Sequence, residues 1–104
     1  MGQFDVHRNP NPDTRGTYPY LLDVQAELFG DLATRVVIPL APPDERRKPL
    51  ERLTPLIDVG GEPFLLLTPQ LAGVRIDVLG EVVSNVASQR DRIVQALDFL
   101  LTGS

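Results

Sequence analysis

The sequence predicts a mainly β protein, a small barrel or curled sheet of short antiparallel strands covered by a carboxy-terminal α-helix. Three observations carry this expectation. Short apolar runs alternate with proline- and glycine-rich breaks along most of the chain. Two of those runs are joined by Gly60-Gly61, a dipeptide that tolerates the positive φ of a tight hairpin turn. After Ser88 the apolar period lengthens to that of a helix.

Taken in order, residues 3–6 form a strand candidate that ends in the loop Asn9-Pro10-Asn11-Pro12-Asp13, where two prolines fix φ and remove donors. Residues 18–24, rich in aromatic and aliphatic side chains, predict a strand. Residues 35–40, with the β-branched run Val36-Val37-Ile38, predict another that is buried on both faces. Between them, residues 26–33 are read as a short helical turn or a loop carrying the bulky pair Leu28 and Phe29. Pro42, Pro43 and Pro49, interleaved with charges, mark residues 42–52 as a solvated connection. Residues 54–59 and 63–68 are the arms of the hairpin. Val74, Ile76 and Val78 alternate with Arg75 and Asp77, which predicts a strand with one wet face. In the last segment Ile93, Leu97, Leu100 and Leu101, with Val94 beside them, stripe one face of a helix. Ser88 and Asp91 suit its start, and Gly103 suits its stop.

A length of 104 residues with 42% hydrophobic content is that of one globular domain, residues 1–104, with a modest core. Self-association into a homodimer is the expected supplement to such a core. The net charge of -4 disfavours direct binding to nucleic acid or an anionic membrane, so any connection with DNA should run through a protein partner. With no cysteine and a single histidine the chain offers neither a disulfide framework nor a thiolate or histidine-rich metal site. No run approaches the roughly 18 apolar residues of a membrane span, and the amino terminus lacks a basic segment followed by an apolar one. A soluble, cytoplasmic protein is expected, with no membrane association.

No catalytic constellation emerges. His7 is the one side chain whose ordinary pKa lies near neutrality, but no nucleophile signature stands beside it. It is read as a bland histidine, exposed or partly buried at the edge of the first strand. Asp44-Glu45-Arg46-Arg47-Lys48 reads as a solvated mixed-charge face. Gly60-Gly61 lacks the following helix and lysine of a phosphate loop. Glu81 reads as a surface residue at a chain reversal, and Arg90, Asp91, Arg92 and Asp98 as the wet face of the helix. Leu28 and Phe29 are either core or an exposed contact pair.

Several segments together resemble a known family. Gln3-Phe4, Asp23-Val24-Gln25, Arg35-Val36-Val37-Ile38-Pro39-Leu40-Ala41, residues 53–62 through the Gly60-Gly61 turn, Val78-Leu79-Gly80-Glu81-Val82 and the final helix are similar in order and spacing to the CcdB toxins over nearly the whole chain. The resemblance implies an SH3-like barrel of short antiparallel strands with a C-terminal α-helix, a fold shared with ribonuclease toxins. It also implies a homodimer, and a toxin of a type II toxin–antitoxin module that is not an enzyme and needs no cofactor. Such a toxin binds the A subunit of DNA gyrase, traps the gyrase–DNA cleavage complex and is neutralised by a cognate antitoxin. The family's apolar contact pair falls on Leu28 and Phe29, its polar helix residue on Asp98, and its terminal Trp-Gly-Ile on Thr102, Gly103 and Ser104, of which only Gly103 is retained. That altered end leaves open a non-toxic relative that keeps dimerisation and antitoxin binding, and the shared fold leaves open an RNA-cleaving toxin.

Overall fold

The computed structural model describes residues 2–29 and 31–103, except for the side chain of Phe29. Seven antiparallel strands form one curled, half-barrel sheet with a carboxy-terminal helix against it: β1 (Asp5–Arg8), β2 (Tyr20–Asp23), β3 (Thr34–Ala41), β4 (Leu56–Val59), β5 (Glu62–Leu66), β6 (Ala72–Arg75), β7 (Val82–Asn85) and α1 (Arg90–Thr102). The strand order is β4-β5-β3-β2-β1-β7. The eight-residue β3 is shared on one side: its first half pairs with β6, and its last two residues, Leu40 and Ala41, pair with Leu66 and Leu65 of β5. This fork curls the sheet around a core of Val6, Leu22, Ile38, Leu40, Ile57, Leu66 and Ile93, all fully buried.

The hairpin follows the sequence closely. Val59 and Glu62 close it, and Gly60 and Gly61 have φ of 61° and 89°, the left-handed pair that a two-residue turn with the twist of the strands demands. Elsewhere four expectations need correcting. The first strand begins at Asp5, because Phe4 turns the chain with φ 69°. That strained residue is held by its N–H bond to the Asp23 carbonyl (2.6 Å), by its carbonyl accepting from Val86 N (2.9 Å) and by burial of its ring. The strand expected through Val78 ends at Arg75. Ile76 N–H donates to the Ala33 carbonyl just ahead of β3, and with no strand residue left to pair, the chain turns through a 3-10 segment, Ile76–Val78.

Beyond it β7, unforeseen in the sequence, adds to β1, with a register shift between Val6 and His7. Its Val-Val-Ser-Asn order does not alternate, since β7 is an edge strand with Val82 and Val83 both exposed. β1 is thereby interior and His7 is buried rather than at an edge. Finally, Ser88 and Asp91 do not cap the helix. A 3-10 turn, Ala87–Gln89, runs into α1, the Asn85 side chain accepts from Ala87 N (2.9 Å), and Gln89 occupies the N-cap without capping. The Gln89 amide is engaged elsewhere, exchanging two 2.8 Å hydrogen bonds with the backbone N–H and carbonyl of Asp58 in β4.

Candidate functional site

The β2–β3 connection leaves the sheet at Asp23, whose carboxylate accepts the N–H of Gln25 two residues on (3.0 Å), a local bond that ends strand pairing and starts a turn. A 3-10 turn, Glu27–Phe29, follows and lifts Leu28 out to 86% exposure. The core alternative for Leu28 is thereby excluded; Leu32, a little further on, is also exposed. The side chain of Phe29 lies outside the described residues.

Beneath this exposed turn is a buried polar network. Arg35, the second residue of β3, is fully buried and directs Nε to Asp23 Oδ2 (2.7 Å) and Nη2 to Asp23 Oδ1 (3.0 Å), a bidentate pair with no solvent access to either side chain. The same Nη2 donates to the Gln25 carbonyl (3.0 Å), and the Gln25 side-chain oxygen accepts from Val36 N (3.1 Å). Sequence reasoning missed this role for Arg35. Its one trace was an arginine opening an otherwise apolar strand that carries the family match.

The end of α1 is built differently. Ile93 and Ala96 are its buried residues, with Val94 and Leu97 packed half-buried against the core. Leu101, expected on that stripe, is 75% exposed. Eight residues past Ile93, it is rotated about 80° off the packed face at roughly 100° per residue. Asp98 is exposed, and its backbone carbonyl accepts the Thr102 hydroxyl at 2.6 Å. Gly103 takes φ 75° and donates its N–H to the Phe99 carbonyl, the stop expected of it. Ser104 lies outside the described residues. The guanidinium of Arg52, itself at φ 66°, covers the Phe99 ring at 4.6 Å.

Leu28 lies in the connection that enters β3, and Arg52, over the Phe99 ring, in the connection that leaves it. The connection bearing Leu28 enters β3 at Thr34. Arg52 precedes β4, whose Leu56 pairs with Leu65, itself opposite Ala41 at the far end of β3. Seven residue steps of strand separate those ends by about 23 Å.

His7 Nδ1 lies 3.0 Å from the Gly80 carbonyl, and among the described residues the buried Nε2 has no hydrogen-bond partner. An open cleft of about 530 Å³ is lined by Arg8, Asn9, Pro10, Arg15, Gly80 and Glu81, and its opposite charges meet as the exposed Arg8–Glu81 pair (2.6 Å). Asp44, in the mixed-charge connection, accepts the backbone N–H groups of Arg47 and Arg46, which hold its carboxyl below the ordinary value. Among the described residues there is no group of three or more metal-ligating side chains, and no helix long and apolar enough to cross a membrane.

In comparison with known families, the model described as CcdB protein matches residues 3–103.

Proposed function

The chain belongs to the CcdB family, and on that premise we propose that it is the gyrase-directed toxin of a type II toxin–antitoxin module. In this reading it binds the A subunit of DNA gyrase and traps the enzyme while the DNA is cut. A cognate antitoxin neutralises it. It acts as a cytoplasmic homodimer and carries out no bond chemistry of its own. The net charge of -4 fits such a role, because gyrase rather than the toxin holds the DNA.

The observation that carries the reading is the family match along nearly the whole chain, joined to a leucine presented almost bare to solvent where the family places its apolar contact pair. Leu28 and Phe29 form one part of the proposed contact, and Asp98, Thr102, Gly103 and Ser104 the other. Purified protein added to gyrase and supercoiled plasmid should accumulate protein-linked, cleaved DNA, and expression without antitoxin should arrest growth. Neither effect at saturating protein would refute the proposal.

A second reading is a weakened relative that keeps dimerisation and antitoxin binding. It is favoured by the helix end, where Thr102 spends its hydroxyl on the Asp98 carbonyl and the aromatic of the family's end is lacking. An apolar or aromatic side chain at such a position is commonly worth about 2 kcal/mol or more in an interface. Growth arrest that needs much higher expression than a Thr102→Trp variant requires would support it.

A further inference from the structure

The Arg35–Asp23 pair is an expensive way to join two strands already paired along their backbones. Both side chains are wholly buried, and among the described residues Arg35 Nη1 has no hydrogen-bond partner. Taking two charges out of water costs about as much as their attraction returns, and a stranded donor adds to the cost. Stability alone does not account for an arginine here.

What this guanidinium does that an apolar side chain could not is reach the connection itself. Nη2 holds the Gln25 carbonyl, two residues beyond the β2–β3 register, while the Gln25 side-chain oxygen accepts from Val36 N in β3. Val24 N bonds the Val36 carbonyl, and Asp23 Oδ1 fixes Gln25 N. Both ends of the connection, at residues 23–25 and 35–36, are thus tied to one buried group. Leu28 is carried on the span between those two ends.

We infer that Arg35 is a positioning residue for the partner contact at Leu28: through Asp23 and Gln25 it clamps the two ends of the connection, so that the exposed leucine is presented in one geometry. The inference rests on the reading of Leu28 as a gyrase contact. Pre-organisation of this kind raises affinity by removing the ordering cost at the moment of binding. Lysine cannot replace it, having a single ammonium where the fork serves a carboxylate and a carbonyl together.

Two variants test this. Arg35→Lys keeps the charge and loses the fork. Asp23→Leu with Arg35→Met removes both charges at once, so no ion is stranded. Three readouts are taken on the full chain: thermal unfolding, amide hydrogen exchange, and titration with purified gyrase A subunit. In whichever variant remains folded, exchange at the amides of residues 24–36 should rise about tenfold or more relative to β4 and β5. Affinity for the gyrase A subunit should fall by about tenfold or more, and adding Leu28→Asp should then cost little further. Unchanged exchange over residues 24–36 overturns the clamp whatever binding does. Faster exchange with unchanged affinity overturns the positioning role. If Leu28→Asp alone leaves gyrase affinity intact, the contact reading fails, and the positioning role falls with it while the clamp, seen by exchange, stands.

Discussion

In the β2–β3 connection an exposed leucine stands on a buried frame of Asp23, Gln25 and Arg35, whereas the last turn of α1 is held by a glycine stop, a back-bonded threonine and one surface stack of Arg52 on Phe99. The first is costly to alter one residue at a time, since a single change strands its charged partner away from water. The second is cheaper to alter, since Arg52, Thr102 and Gly103 are exposed and each contributes little alone. The segments that match the family include the frame. The family match spans both regions, and the helix end is the one where exposed residues can change with little loss of the fold.

Substitutions can break this contrast or sharpen it. Arg35→Ala should cost about 3–5 kcal/mol in urea unfolding, because it leaves the Asp23 carboxylate buried and unpaired. A loss no larger than that of a helix-end change would erase the distinction. Leu28→Asp should leave stability within about 0.5 kcal/mol, as expected of so exposed a side chain. The same change should weaken binding to gyrase A subunit by about 2 kcal/mol. Gly103→Ala should lower stability by about 1 kcal/mol, since its φ of 75° is left-handed. Arg52→Ala should cost about 0.5–1 kcal/mol through loss of the stack. Arg52→Gly should lose less, because glycine relieves the positive φ at the same position; a larger loss for glycine would show that the backbone there is unstrained.

The smallest effect expected concerns Asp5, beside the buried frame. Burial raises its pKa, but hydrogen bonds from the Asn85 side chain and Gly2 N–H outweigh that and hold the carboxyl below its ordinary 3.8. With the folded value depressed, its contribution is complete above the unfolded value and is lost as pH falls through the folded one. Acid titration of the unfolding midpoint should therefore steepen below that range, and less so in Asp5→Asn.

Local chemistry made much of the fold legible. Gly60-Gly61 with apolar arms specified the hairpin, and the helix was visible in its spacing down to the Gly103 stop. What escaped depended on distant partners. β7 is a strand because β1 offers it an edge, and Val82-Val83-Ser84-Asn85 has no period to announce it. Gln89 fails to cap because Asp58, remote in sequence, takes its amide. The candidate site divides along the same line. That Leu28 stood in a break was readable, but not that it faced solvent. Arg35 could not be recognised as its support, because its partners lie across the β2–β3 pairing, and an arginine ahead of Val-Val-Ile reads equally well as a strand end.

The central claim is a two-part contact surface for the gyrase A subunit, at Leu28 and at the end of α1. Hydrogen exchange of the protein, free and bound to purified gyrase A subunit, tests it most directly. Protection confined to residues 26–33 and to the carboxy-terminal turn from Asp98 onward is the predicted result. Protection centred elsewhere, or none at concentrations that saturate gyrase, would contradict it.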